Sequence, residues 1–196
     1  MADNDIKTIL VGRTGTGKTN IINAIVGAKF NSSEMSTSSA GFVDKTIKIK
    51  GRDYHLAIWD TAGQEKFRAL TKIFIKDAKI VIFVYSITDK ESFKEIDFWL
   101  ETVKNLLGDK PVFGLAGNKK DLFQEEEVTE EEGESKAKDI GAVFKLTSAK
   151  TKFGINEFFE KMVEEYAKKI GDIPDETKGE KLKSGNDKEK KKSKWC

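Results

Sequence analysis

The chain alternates between short apolar runs and longer segments in which apolar residues recur every three or four positions. The short runs predict β-strands and the periodic segments predict α-helices. One run, Ile80–Tyr85, is apolar at every position, as expected for a central parallel strand that is covered on both faces. The predicted strands are Asp5–Val11, Phe42–Lys50, Tyr54–Trp59, Ile80–Tyr85, Val112–Ala116 and Val143–Leu146. The alternation predicts an α/β fold with a mostly parallel six-stranded sheet and about five flanking helices.

The first half of the chain contains one predicted helix and one predicted hairpin. The helix covers Lys18–Val26, and the segment after it, Ala28–Gly41, is rich in Ser, Thr and Asn and predicts a loop. The second and third strands are separated only by Gly51-Arg52-Asp53, which predicts an antiparallel hairpin.

Three further helices are predicted in the second half. The first has Phe93, Ile96, Leu100, Val103 and Leu107 at helical spacing, and Thr88-x-x-Glu91 predicts a capping box at its start. The next covers Thr129–Ile140 and opens with a second such box, Thr129-x-x-Glu132. The apolar stripe of the last helix, interpreted as core packing, is Ile155, Phe158, Phe159, Met162, Val163, Tyr166 and Ile170.

The 196 residues, of which 38% are hydrophobic, fit one domain over residues 1–171 and a flexible tail over residues 172–196. The tail contains eight lysines and six acidic residues, so the charges of the domain balance and do not indicate binding to nucleic acid. The single cysteine, Cys196, excludes an internal disulfide. The only histidine, His55, lies on a predicted strand near no other candidate ligand, so we interpret it as structural.

Gly12–Thr19 reads Gly-Arg-Thr-Gly-Thr-Gly-Lys-Thr, lies between the first strand and the first helix, and satisfies G-x-x-x-x-G-K-[ST]. Backbone N–H groups at such a junction are directed toward a common anion, and the helix dipole favours negative charge there. Lys18 can reach the β- and γ-phosphates of a nucleotide, and the Thr19 hydroxyl can bind Mg²⁺. The sequence therefore predicts a P-loop.

A P-loop alone leaves ATPases, kinases and GTPases open, but three more loops follow strands at the same predicted edge. Asp60-Thr61-Ala62-Gly63-Gln64 can hold Mg²⁺ through a water at Asp60, contact a γ-phosphate with the Gly63 N–H, and orient an attacking water with Gln64. Asn118-Lys119-Lys120-Asp121 can recognise guanine, because the Asp121 carboxylate accepts from two donors that adenine does not offer together. Thr147-Ser148-Ala149-Lys150 places the Ala149 N–H for the guanine O6 atom.

These motifs favour a GTPase over two alternatives. A P-loop ATPase or nucleotide kinase is opposed by Asn118–Asp121 and by the lack of a second phosphate-binding segment in the sequence. A recruitment module of the same fold that binds nucleotide with little or no turnover is opposed by the presence of Gln64.

The four motifs resemble those of the Ras-superfamily small GTPases over about residues 5–170. The segments Trp59–Glu65 and Phe67–Thr71 resemble the Rab branch in particular. The resemblance implies a Ras-like G domain, Mg²⁺, GTP and GDP as ligands, slow GTP hydrolysis (a GTP phosphohydrolase), and a role in vesicle trafficking. It also places Phe30 against the guanine base and Thr37 on Mg²⁺.

The resemblance gives a complete set of expected site residues. The nucleotide is expected to contact Arg13, Thr14, Gly15, Thr16, Gly17, Lys18, Thr19, Phe30, Thr37, Gly63, Asn118, Lys119, Asp121, Ser148, Ala149 and Lys150. The expected metal ligands are Thr19, Thr37 and Asp60, and the expected catalytic residues are Gln64, Lys18 and Thr37. Phe42, Trp59 and Phe74 match the aromatic triad with which the family contacts effectors, although core packing is an alternative role for them.

The chain departs from the Rab pattern in two places. Ser38-Ser39 replaces the Ile-Gly that usually follows the threonine corresponding to Thr37. Arg13 and Thr14 stand where many Rabs have an acidic and a small residue. One interpretation of Arg13 is an internal arginine finger. We expect instead a solvated side chain, since a P-loop binds phosphate with its backbone.

The end of the tail, Lys188–Cys196, contains five lysines and one glutamate. The Rab-like proteins that this chain resembles are prenylated on terminal cysteines, typically two, which implies a lipid on the single Cys196. A solvated run of charges with an incidental thiol is the alternative. A lipid chain together with basic residues can anchor a protein to an anionic leaflet. The expected partners are effectors, an exchange factor, a GTPase-activating protein and a membrane surface. We expect a cytoplasmic monomer on the cytosolic face of endomembranes.

Overall fold

The computed structural model describes residues 5–28, 41–60 and 73–175. Its sheet has six strands in the order β2-β3-β1-β4-β5-β6. Strands β2 and β3 pair in antiparallel fashion, and every other neighbouring pair is parallel. The strands are β1 (Ile6–Val11), β2 (Gly41–Ile49), β3 (Arg52–Asp60), β4 (Ile80–Ser86), β5 (Val112–Asn118) and β6 (Ala142–Leu146). The predicted α/β fold and the hairpin are confirmed.

Apart from the short helical stretch 73–75, the described residues form four α-helices and one 3-10 helix, which cover both faces of the sheet. They are α1 (Lys18–Ile25), α2 (Lys90–Leu107), the 3-10 helix Lys120–Glu125, α3 (Glu130–Ile140) and α4 (Ile155–Lys169). Helices α1 and α4 pack with Ile80 and Ile82 of β4 in one core. Helices α2 and α3 pack with Val81 and Phe83 in the other. Successive residues of β4 therefore enter different cores, which explains why the run Ile80–Tyr85 is apolar at every position.

The two predicted capping boxes have different outcomes. The box at Thr88 is wrong, because Asp89 is the N-cap of α2 and its carboxylate accepts from the Ser92 N–H over 3.1 Å. The box at Thr129 is confirmed: its hydroxyl accepts from the Glu132 N–H, and the Glu132 carboxylate accepts from the Thr129 N–H over 2.9 Å.

The last helix buries most of the predicted stripe. The residues of the stripe that face the core containing α1 are Ile155, Phe158, Phe159, Met162 and Val163, and Tyr166 is partly buried against that core. Ile170 is an exception, since it follows the helix as its C-cap and is 50% exposed. No helix in the described ranges is both long enough and apolar enough to cross a membrane.

The parallel strands β3, β1, β4, β5 and β6 all end at one edge of the sheet. The loops that follow these carboxyl ends are where open α/β sheets bind ligands. The loops after β1, β5 and β6 and the last residue of β3 lie within the described residues, so their side chains define the candidate site.

Candidate nucleotide site

The loop from β1 to α1 approaches its neighbours so closely that two of its glycines, Gly12 and Gly17, have no room for a side chain, whereas a Cβ atom at Gly15 would meet nothing within 4 Å. Gly12 has φ 149°, and a Cβ atom there would lie 2.1 Å from the Val84 carbonyl oxygen. Gly17 is the left-handed N-cap of α1, and a Cβ atom there would lie 2.4 Å from the Asn118 amide nitrogen. Gly12 and Gly17 therefore allow the loop to pack against β4 and β5. This requirement is separate from the room that a phosphate needs beside the loop.

The Lys18 side chain is folded back beneath this loop. Its ammonium group donates to the carbonyl oxygens of Gly12 and Arg13 over 2.9 and 3.0 Å. Burial lowers the pKa of Lys18 to about 8, and the carboxylates of Asp60 and Glu95 oppose that shift. Among the described residues, these two carbonyl oxygens accept hydrogen bonds from two of the three ammonium N–H groups. The contacts hold the ammonium group against the main chain of the loop.

Thr19 and Asp60 bring two oxygen atoms together at the end of β3. The Thr19 hydroxyl donates to the Asp60 carboxylate over 2.8 Å, and Asp60 is only 9% exposed. A hydroxyl and a carboxylate are the oxygen ligands that Mg²⁺ uses when phosphates and waters complete its coordination. Within the described ranges no group of three or more His, Cys, Asp or Glu could form a metal site by itself. The pair therefore fits an ion shared with a phosphate ligand.

Asn118 connects the loop after β1 with the loop after β6. Its side-chain amide donates to the Thr16 carbonyl over 2.8 Å. Its side-chain oxygen accepts from the Ala149 N–H over 3.2 Å and from the Thr147 hydroxyl over 3.3 Å. Asn118 is 1% exposed, and all of these groups lie in the interior, so the side chain fixes the relative positions of these two loops.

Asp121 is held by residues of the loop after β6. The Ser148 hydroxyl donates to one oxygen of the Asp121 carboxylate over 2.6 Å, and the Lys150 ammonium lies 3.9 Å from the other. Ser148 is buried, whereas the Lys150 side chain is 60% exposed. Lys119 adopts a left-handed backbone conformation with φ 69° directly before the 3-10 helix. This turn places Asp121 beside Ser148 although 27 residues separate them.

The other described residues of the P-loop surround the same space. Thr16 is buried and its hydroxyl donates to the Arg13 carbonyl over 2.9 Å. Thr14 is partly buried, and Gly15 is exposed. Five of the expected site residues lie outside the described ranges, namely Phe30, Thr37, Gly63, Gln64 and Cys196.

The three aromatic residues of the expected effector triad form one continuous surface. The rings of Phe42 and Trp59 stack with centroids 5.4 Å apart, and those of Trp59 and Phe74 are tilted with centroids 5.5 Å apart. Phe42 is 53% exposed, and the other two are partly buried. The triad is therefore exposed to solvent at Phe42, whereas an aromatic cluster inside a core would be buried.

The Arg13 side chain is not simply solvated, contrary to the expectation from the sequence. Its guanidinium forms ion pairs with Asp89 at 3.3 Å and with Glu95 at 3.5 Å. Neither acidic residue was predicted to belong to the site. Because both lie more than 70 positions from Arg13, only the fold brings them together, and no local pattern in the sequence indicates the pairing.

The comparisons with known proteins agree with this geometry. The family model described as the Ras family matches residues 7–168. Ras-related protein Rab-21 of Homo sapiens is 40% identical over 153 residues, which cover 78% of this chain and 68% of that relative. Ras-related protein Rab-21 of the sponge Geodia cydonium is also 40% identical over 153 residues, covering 67% of its length. The chain belongs to the Ras family and is a Rab-like small GTPase, and hence a GTP phosphohydrolase.

Proposed function

We propose that this protein is a Mg²⁺-dependent guanine-nucleotide switch that hydrolyses GTP slowly and recruits effectors to membranes in its GTP-bound form. The observation that carries the proposal is the contact of Asn118 with both the P-loop and the loop after β6. One buried side chain thereby sets the spacing between the segment that would bind phosphates and the segment that would bind the base.

The phosphates would bind to the backbone N–H groups from Arg13 to Thr19, at the N-terminus of α1. Helix N-termini favour anions through their dipole and their free N–H groups. Lys18 would contact the β- and γ-phosphates while its carbonyl acceptors hold its position.

Thr19 and Thr37 would bind Mg²⁺ directly, and Asp60 would hold it through a water. The short contact between Thr19 and Asp60 supports their part of this assignment. When bound, Mg²⁺ neutralises charge on the β- and γ-phosphates.

Asp121 would accept hydrogen bonds from the guanine N1–H and exocyclic amine, and the Ala149 N–H would donate to O6. The Ser148 hydroxyl orients the Asp121 carboxylate for this role. Asn118, Lys119 and Lys150 would complete the base pocket, and Phe30 would stack on the base.

Gln64 would orient the attacking water, and the Gly63 N–H would sense the γ-phosphate. In the GTP state, the segments 31–41 and 62–76 would be held by the γ-phosphate and Mg²⁺ and would loosen after hydrolysis. Effectors would bind the GTP state at the surface formed by Phe42, Trp59 and Phe74, since aromatic side chains contribute much of the binding energy at interfaces.

The direct test is to identify the nucleotide that copurifies with the full-length protein. Protein denatured after gentle purification in Mg²⁺ buffer should release GDP or GTP in a near-stoichiometric amount, identified by ion-exchange chromatography and mass. Release of adenine nucleotide in that amount would overturn the proposal.

A further inference from the structure

Arg13 connects the P-loop to helix α2 through two acidic partners. The Arg13 Nη1 atom lies 3.3 Å from Asp89 Oδ1, and its Nε atom lies 3.5 Å from Glu95 Oε1. The three side chains are between 28% and 39% exposed. This partial burial reduces screening by solvent, so the contacts are stronger than those of a fully exposed pair.

The main chain of the same residue accepts hydrogen bonds from two other P-loop side chains. The Arg13 carbonyl accepts from the Lys18 ammonium over 3.0 Å and from the Thr16 hydroxyl over 2.9 Å. Any movement of Arg13 therefore shifts an acceptor that holds Lys18 in place.

The two partners of Arg13 are fixed to the domain. Asp89 is the N-cap of α2 and also accepts from the Ser92 N–H, and Glu95 lies in the second turn of the same helix. Helix α2 packs on the sheet through Ile96, Trp99 and Val103, which are at most 2% exposed. The acidic side chains thus form a rigid anchor for the guanidinium.

We propose that Arg13 is a positioning residue: its ion pairs with Asp89 and Glu95 hold the carbonyl that orients Lys18, and they thereby slow the release of nucleotides that carry a β-phosphate. This inference rests on the proposed function. In this arrangement the guanidinium lies beside α2 and not at the γ-phosphate, so Arg13 does not act as an arginine finger.

The test is the dissociation rate of a fluorescent GDP analogue from full-length variants. Arg13→Ala should release GDP about two- to fivefold faster than wild type, the range expected for a partly exposed ion pair. Asp89→Asn should change the rate in the same direction, since asparagine retains the N-cap but lacks the charge. Arg13→Lys, which keeps the charge without the fork geometry, should lie between wild type and Arg13→Ala.

Lys94→Ala is the matched control. It removes an ion pair with Glu91 on the same helix, at 2.7 Å, without touching the P-loop, and should leave the GDP dissociation rate unchanged. Thermal unfolding shows whether each variant is folded. If Arg13→Ala is not folded, the GDP dissociation rates of Asp89→Asn and Arg13→Lys still test the proposal.

GMP separates positioning from a merely structural role. GMP has no β-phosphate for Lys18, so its affinity should be the same in wild type and Arg13→Ala, whereas the affinity for GDP should fall. Equal losses for both nucleotides, or a GDP dissociation rate in Arg13→Ala equal to that of Lys94→Ala, would overturn the inference. Wild-type protein that fails to bind GDP would overturn the proposed function as well, so the two failures are distinguishable.

Discussion

The side-chain amide of Asn118 donates a hydrogen bond to the main-chain carbonyl of Thr16 over 2.8 Å, although 102 positions separate the two residues. The same side chain accepts from the Ala149 N–H and the Thr147 hydroxyl. Because Asn118 is almost fully buried, water cannot replace these partners. The P-loop and the loop after β6 therefore behave as one unit, and loosening either is expected to affect the other.

Asn118→Ala tests this coupling. The substitution leaves buried polar groups unpaired, each at a cost of about 1–3 kcal/mol, so we expect a lower melting temperature and faster release of GDP. Thermal unfolding and fluorescent-GDP dissociation measure the two effects. Asn105→Ala, at an exposed position on α2, is the matched control and should match wild type. Wild-type release of GDP from a folded Asn118→Ala variant would contradict the coupling.

The elements of the fold were predictable because their signals are local. Each predicted strand in the described residues overlaps an observed one with ends differing by at most two residues, for example Val112–Ala116 against Val112–Asn118. The capping box at Thr129 was predictable for the same reason. At Thr88 the local signal was ambiguous, since the neighbouring Asp89 is also a strong N-cap and is the residue used.

Contacts between distant segments could not be read from the sequence. The four loop motifs indicated which side chains follow the strands, but not that Ser148 would orient Asp121 or that Asn118 would contact Thr16. The ion pairs of Arg13 are a further example. Each depends on the sheet order, which places β4 between β1 and β5 and β6 on the far side of β5, and therefore on packing of the whole domain.

Thr19→Asn is expected to weaken GTP binding in the presence of Mg²⁺ and to leave the GDP form favoured. The reason is that the Thr19 hydroxyl would contribute a ligand to the ion that neutralises the terminal phosphates. The ratio of GTP to GDP affinity, measured by competition with and without EDTA, checks this. The difference between variant and wild type should vanish in EDTA. A difference of the same size in EDTA would contradict the metal role.

Gln64→Leu is expected to slow hydrolysis while leaving GTP affinity nearly unchanged, since the amide would orient water and not hold phosphate. Wild type should hydrolyse GTP on the order of 10⁻⁴ to 10⁻³ per second, as for a GTPase without an arginine finger in cis. Single-turnover hydrolysis of radiolabelled GTP measures both rates. Equal rates in the two proteins would count against the role of Gln64.

Membrane attachment is expected to need both a lipid on Cys196 and the basic run before it, because a single lipid chain binds only marginally. Cys196→Ser should make the protein fully soluble in cells. Neutral replacement of Lys190, Lys191, Lys192 and Lys194 should weaken attachment and remove its dependence on salt, since each lysine adds about 1 kcal/mol near an anionic leaflet. Cell fractionation at two ionic strengths measures both effects.

The intact mass of the protein from cells provides the control for that experiment. A mass increase that is absent in Cys196→Ser identifies the modification. Wild-type protein that remains on membranes with an unmodified Cys196 would show that a protein partner, and not a lipid, forms the anchor.

The most direct test of guanine recognition is equilibrium competition of GTP, XTP and ATP against fluorescent GDP, for wild type and Asp121→Asn. Recognition of guanine by Asp121 predicts that wild type prefers GTP to ATP by about 10⁴-fold, the discrimination expected when a polar group of the site is left without its partners. Asp121→Asn should prefer XTP, whose exocyclic oxygen can accept from the new amide. Wild-type protein that binds ATP as tightly as GTP would contradict guanine recognition by Asp121.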